Sequence, residues 1–288
     1  MFSTQGKHVH ILTQLHIDIA RNATDDFNLF HDPMRWQCIS GNPFQGTIAL
    51  GFQLGLFVET QINQGGSTIK PRQYSVYEFS FVNPAKVGDE LNLMVKPARV
   101  SKTQMGEQES QRLILKASGK PSLTGFYRQS DYLSVTSSLL EYSKDQISKM
   151  LDRTLLDDSI FLKRKWMIVG NAKNYLLSAF ADQTQYIDEF ANKVRFPQFY
   201  PLSLMSSAML ERAQTLGYDL TQNPMIYVSQ NMCINNQQLA QLKSNDCLNI
   251  LVAPVEEDPC HLTCVGWVNS ESPLFCAEVK LMPLSDML

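Results

Sequence analysis

The sequence predicts an α+β protein in which two long buried helices are each wrapped by an antiparallel sheet. Three observations lead there. Segment 47–64 is apolar on almost every side at helical spacing, with Ile48, Phe52 and Leu56 on one face and Leu50, Leu54, Phe57 and Val58 around them. A helix without a polar face is a buried one. A run of strand-like segments follows it, and consecutive strands after one helix suggest a sheet folded around that helix. The chain then begins again: a shift of 156 positions lays residues from about 10 to about 54 over the second half without a gap.

Taken in order, residues 8–12 read as a short strand and Thr13 as the cap of a helix over 14–23, with Leu15, Ile19 and Ala23 at helical spacing. The stretch Asp26-Phe27-Asn28-Leu29-Phe30-His31-Asp32 comes next, and Pro33 and Gly41-Asn42-Pro43 keep it on irregular backbone. Gly65-Gly66 ends the long helix. Strands are expected over 74–82, 91–100, 111–116 and 125–135, with a turn-rich connection at 83–90. One amphipathic helix is expected over 137–154. The predicted division is therefore a first unit over 1–136, a linker over 137–155 and a second unit over 156–288, whose strands fall near 225–233, 248–255, 262–268 and 275–282.

Composition removes several classes of function. The chain has 288 residues, 44% hydrophobic and 18% charged, with a formal charge of -3. That balance gives no global attraction to nucleic acid or an anionic membrane. No apolar run approaches a membrane span, and residues 1–7 lack the apolar core of a signal peptide. The six cysteines form no CxxC pair, which fits free thiols in a cytoplasmic protein. Cys260 and Cys264 flank His261 without a further ligand in view, so no metal is expected. His8, His10, His16 and His261 have no partner at useful spacing and are read as structural. Lys163-Arg164-Lys165 reads as a solvated basic turn, and Met205, Met209 and Leu210 as core or as the wall of an acyl tunnel.

The chemistry concentrates in the first unit. Asp26 and His31 supply a carboxylate and an imidazole five positions apart, and Gly51 lies near the start of the buried helix. An acid/base pair beside a helix N-terminus suits proton transfer next to a carbonyl. Under the 156-position shift Asp26 falls on Asp182, His31 on Ile187 and Gly51 on Ser207. One working site and one worn copy are expected.

Asp26-x-Asn28-x-x-His31, the glycine-bearing helix start and the turn Phe81-Val82-Asn83-Pro84-Ala85-Lys86-Val87-Gly88-Asp89-Glu90-Leu91 together resemble the MaoC-like R-specific enoyl-CoA hydratases. The resemblance covers about residues 10–100. The chain departs from the usual pattern at Leu29, where proline follows the asparagine, and at Leu50, where histidine precedes the glycine. The resemblance implies a double hotdog fold and a lyase that hydrates a trans-2-enoyl-CoA to the R-3-hydroxyacyl-CoA, or runs the reverse. It implies Asp26, Asn28, His31 and Gly51 as the site, with the Gly51 amide as oxyanion donor. It implies no cofactor, an acyl-CoA or acyl-carrier-protein thioester as partner, and a monomeric pseudo-dimer or a homodimer. Two alternatives stay open: a thioesterase using Glu59 or Asp182 to activate water, and a non-catalytic acyl-thioester-binding protein.

Overall fold

The computed structural model describes residues 9–65, 68–103, 106–157, 159–269 and 271–287, with backbone only at 102–103 and 106–107. The expectations for residues 1–7, for His8 and for Gly66 fall outside the described residues.

Strand β1 (His10–Ile11) leads into α1 (Gln14–Thr24). Thr13 caps that helix, and the ring of His16 accepts the Thr13 N–H at 3.1 Å, which gives His16 a structural role. The long helix α2 (Gly51–Gly65) starts at Gly51 rather than at 47. Ile48 is drawn into a bridge with Lys86, and the Ala49 N–H donates to the Ala85 carbonyl at 2.8 Å. Those bonds to the 83–90 turn keep the preceding residues extended, so Gly51 becomes the first helical residue. Every residue from Gly51 to Thr60 is buried.

The sheet of this unit contains β2 (Tyr74–Phe81), β3 (Glu90–Val95), β4 (Arg99–Thr103), β5 (Gly106–Ala117) and β6 (Lys120–Ser130). The strand expected over 91–100 divides at Pro97, which has no N–H for a ladder. β5 and β6 form a tight hairpin through Ser118 and Gly119, both at positive φ (46° and 85°).

The single helix expected over 137–154 is replaced by shorter pieces. A 3-10 turn spans Ser138–Glu141, α3 covers Lys144–Lys149, and β7 (Thr154–Leu156) has already begun the second sheet. Ser137 and Ser143 each cap a new start with an extended backbone, which no continuous helix permits. Val135, Leu139 and Ile147 pack on Val76, Cys233, Leu251 and Trp267, strapping the connection across both halves of the sheet.

The second unit continues with β8 (Ile160–Trp166), α4 (Val169–Ser178), the small hairpin β9 (Ile187–Asp188) and β10 (Lys193–Val194), and the long helix α5 (Phe199–Thr215). It closes with β11 (Met225–Asn235), α6 (Asn236–Gln241), β12 (Cys247–Val255), β13 (Asp258–Trp267) and β14 (Phe275–Pro283). Lys163-Arg164-Lys165 is not a solvated turn. It lies in β8, with Lys163 on Glu211 and Lys165 on Asp25, both at 2.5 Å, and Arg164 on Asn249 at 3.0 Å.

The 156-position shift survives only in part. Asp26 and Asp182 both accept the N–H two residues on, each at 3.0 Å. The long helices do not follow. Phe199 lies 17 positions after Asp182, whereas Gly51 lies 25 after Asp26. The β9–β10 hairpin is a shorter connection than its counterpart, so Ser207 is not the equivalent of Gly51.

All strands but β9 and β10 form one 12-stranded sheet in the order β1-β3-β5-β6-β2-β11-β14-β13-β12-β8-β7, with β4 on β5. The two halves mirror each other across the antiparallel β2–β11 pair, which runs from Tyr74 opposite Asn235 to Ser80 opposite Ser229. This is a double hotdog: one twisted sheet around two helices. α2 and α5 approach so closely that a Cβ on Gly55 would fall 2.1 Å from the Phe199 ring.

Glu59 of α2 caps α5. Its carboxyl accepts the N–H groups of Gln198 and Phe199 at 2.9 and 3.0 Å and the Tyr186 hydroxyl at 3.4 Å. Burial outweighs these bonds and pushes the carboxyl up to about 7. The folded chain therefore keeps a proton that the unfolded chain releases near 4.5. The stabilisation is complete below pH 4.5 and gone above about 7, a loss on the order of 3 kcal/mol. Urea midpoints between these pH values should fall in the native chain relative to Glu59→Gln; parallel curves would contradict this account.

Candidate active site

The sequence Asp-Phe-Asn builds a local scaffold. Asp26 Oδ1 accepts the Asn28 N–H, and Asn28 Oδ1 accepts the Phe30 N–H at 3.2 Å. Two successive side-chain turns of this kind replace the start of a helix. They set Leu29–His31 into one 3-10 turn with Phe30 and His31 buried.

His31 Nδ1 lies 2.8 Å from the Ile48 carbonyl. A carbonyl only accepts, so Nδ1 carries the hydrogen and the neutral ring keeps its lone pair on Nε2. No protein partner for Nε2 is found among the described residues. Burial lowers the His31 pKa, and Arg21 adds to that; the Asp26 charge and the Ile48 bond oppose it. The ring is therefore neutral at pH 7. The Ile48 carbonyl is available because Ile48 precedes the helix.

Asp26 is 2% exposed. Its second oxygen accepts the Ser206 hydroxyl of α5 at 2.6 Å. Ser206 Oγ lies 3.0 Å from the Tyr227 hydroxyl. Since Ser206 gives its proton to the carboxylate, Tyr227 is the donor of the second bond. Burial and the Asp26 charge raise the Tyr227 pKa and keep the phenol protonated. The second unit thus supplies the relay Tyr227–Ser206–Asp26.

A cleft of about 670 Å³, counted out to its mouth, opens over these groups. Asn28, His31 and Gly51 line it, together with Phe81, residues 82–85 of the turn, and Met225, Ile226 and Tyr227 of β11. Asp26 lies behind this wall, near enough to act on the His31 ring. The Asn28 side-chain nitrogen has no protein partner among the described residues. Nor has the N–H of Gly51, at the positive end of α2. A Cβ on Gly51 would stand 3.0 Å from the Phe81 ring and 3.4 Å from Tyr227, so glycine keeps the cleft open. Leu50 does not face the cleft; it is 2% exposed in the main core.

The other sequence candidates fall elsewhere. Asp182 is occupied by the Thr184 N–H and hydroxyl, and Glu59 by the start of α5. Met205 is core, whereas Met209 and Leu210 line a second cavity. Ser206 and Tyr227 had no sequence signal: a serine in a core helix and a tyrosine in a strand are unremarkable until the fold brings them to Asp26.

No family model matches the sequence, and neither does any curated protein. Solved structures do match over nearly the whole chain. A MaoC domain protein dehydratase of Chloroflexus aurantiacus superposes with a TM-score of 0.62 at 8% identity, covering 96% of this chain and 93% of that one. A conserved double-hotdog protein of Mycobacterium tuberculosis gives 0.60 at 13% identity, covering 96% and 94%. The peroxisomal multifunctional enzyme type 2 of Drosophila melanogaster gives 0.60 at 11%, covering 96% of this chain and 48% of that one. The chain has the double-hotdog fold of the MaoC-like dehydratases. No helix among the described residues is long and apolar enough to cross a membrane.

Ser206→Ala should destabilise the fold by about 1.5–3 kcal/mol, the size of a buried hydrogen bond to a charged group. Tyr227→Phe should cost less, about 1 kcal/mol, because it removes a neutral bond. Denaturant midpoints of the two variants check this order.

Proposed function

We propose that the chain adds water across the double bond of a trans-2-enoyl thioester, or removes it in the reverse direction, with a CoA or acyl-carrier-protein thioester as substrate. One observation carries this reading. The His31 lone pair and the Gly51 N–H border the same cleft, the first fixed by the Ile48 carbonyl and the second by the helix start. Hydration of a conjugated thioester needs a base for water and a donor for the oxygen on which charge develops.

In this mechanism the thioester oxygen lies on the Gly51 N–H. Water attacks C3 while His31 Nε2 takes its proton, and the π electrons move to the enolate oxygen. The imidazolium, held by the charge of Asp26, returns that proton to C2 and the carbonyl re-forms. Water's oxygen and one hydrogen end on C3 and its other hydrogen on C2, delivered to the same face. The Asn28 amide positions water or the thioester. Ser206 and Tyr227 act through Asp26. Glu59 and Asp182, the carboxylates a thioesterase would need, are both taken up in capping bonds.

With crotonyl-CoA, loss of the conjugated enoyl-thioester absorbance should be seen in the native chain and fall by at least about a hundredfold in His31→Ala and Asp26→Asn. Hydration that survives both substitutions sinks the assignment, and release of free CoA selects the thioesterase.

kcat/KM should stay level as pH falls through 6.5 and drop only below it, because burial holds the His31 pKa down. Residual activity in Asp26→Asn should have its acid limb at still lower pH, since Asp26 raises that pKa. Gly51→Ala should change the melting temperature little, because crowding of the Phe81 ring at 3.0 Å offsets alanine's helical preference of at most about 1 kcal/mol over glycine. It should nevertheless lose at least about tenfold in kcat/KM, because its methyl crowds the cleft.

A further inference from the structure

We infer that the second cavity takes the far end of the acyl chain, and that Arg212 selects acyl groups ending in a carboxylate. The inference rests on reading the first cleft as an acyl-thioester site. The second cavity, about 1340 Å³ counted out to its mouth, lies in the C-terminal unit between α5 and β11, β13 and β14. It shares Asn28, Met225 and Tyr227 with the first cleft, and Ser206, the residue bonded to Asp26, stands at the junction. The two cavities adjoin at these residues, so the acyl chain of a thioester on Gly51 has to pass Met225 and Tyr227 to reach the second. Its walls are mostly apolar, with Met209, Leu216, Leu262 and Leu281 prominent.

Arg212 is the one ionised side chain in that wall, and it is only 7% exposed. Its Nε donates to the Ser159 carbonyl at 3.1 Å. No carboxylate pairs with it among the described residues. The adjacent Glu211 is taken by Lys163 at 2.5 Å and by Arg153 at 3.5 Å. The other buried cations, Lys163 and Lys165, thus have acids in Glu211 and Asp25, and Arg212 has none among the described residues. A buried guanidinium without a counter-charge is costly and is compensated by an anion that enters with the ligand. Its planar fork fits a carboxylate through two parallel N–H bonds.

The spacing sets the scale. Arg212 lies six positions beyond Ser206 on α5, about 9 Å along the axis. An acyl chain must extend at least that far past the junction to bring a free carboxylate at its far end to Arg212, as in the mono-thioester of a dicarboxylic acid. A purely apolar chain of the same length would leave the guanidinium without a counter-charge beside its terminal methyl. The reaction that supplies such a substrate must form a thioester on one end of a dicarboxylic acid, or oxidise the far end of a fatty acyl chain.

The test is calorimetric binding of suberyl-CoA and octanoyl-CoA, saturated thioesters that cannot be hydrated, to the full chain and to Arg212→Met and Arg212→Lys. The native chain should bind suberyl-CoA at least about tenfold more tightly than octanoyl-CoA. Arg212→Met should reduce that ratio to about one or below, with Arg212→Lys between. Each ratio is internal to one protein preparation; if Arg212→Met does not fold, the lysine variant decides, since a charge without the fork should keep only part of the preference. Equal or tighter binding of octanoyl-CoA, or a ratio unmoved by substitution, overturns the inference. Binding of neither thioester overturns it together with the acyl-thioester reading of the first cleft. Intact suberyl preference with no hydration of any enoyl-CoA upholds this inference and removes the hydratase reading alone.

Discussion

Two long helices start inside this molecule, and a buried helix start must find something to accept its N–H groups. The two starts are met differently. α5 receives a carboxylate from its neighbour, since Glu59 of α2 takes the N–H groups of Gln198 and Phe199. α2 receives no such group: the Gly51 N–H has no acceptor among the described residues and borders the cleft. One helix start is closed by the protein and the other opens on the cleft, where the proposed reaction puts the thioester oxygen. The asymmetry between the units follows from that difference, although the sheet mirrors itself across β2 and β11.

Ile48 couples the open helix start to the histidine. Its carbonyl is free because the bridge to Lys86 delays α2 until Gly51. That carbonyl fixes the Nδ1 hydrogen of His31 and turns the lone pair of Nε2 outward. The turn at 82–86 therefore does more than form a wall of the cleft; it positions the His31 ring and the Gly51 N–H, the base and the oxyanion donor of the proposed reaction. Asp26 is held from the opposite side, by Ser206 of α5 and through it by Tyr227 of β11. Neither unit alone contains the full arrangement, which gives a physical reason for the two halves to stay in one chain.

The sequence revealed the parts of this arrangement that are local. Asp26, Asn28 and His31 fall within six positions, and the bonds that shape the segment, Asn28 N–H to Asp26 and Phe30 N–H to Asn28, span two residues each, so the pattern is visible in a short string. The all-round apolar character of α2 likewise showed its burial. What failed was longer in range. The uniform 156-position shift broke after Asp182, because the β9–β10 hairpin shortens the path to α5 and a gapless comparison cannot register that. The linker's apolar residues have the spacing of one helix, but two capping serines break it into separate pieces. Ser206, Tyr227 and Arg212 gave no signal, because their roles depend on partners 180, 21 and 53 positions away. Lys163-Arg164-Lys165 misled for the same reason: its neutralising partners are remote in sequence.

The central claim is that His31 is a neutral base whose Nε2 faces an acyl-thioester cleft. Nitrogen-15 NMR of the imidazole rings tests it directly, with only five histidines in the chain to resolve. At pH 7 the His31 signals should show a protonated Nδ1 and an unprotonated Nε2, and butyryl-CoA should shift the Nε2 resonance while leaving the Nδ1 tautomer in place. A protonated ring, the opposite tautomer, or an Nε2 signal indifferent to the thioester would contradict the account.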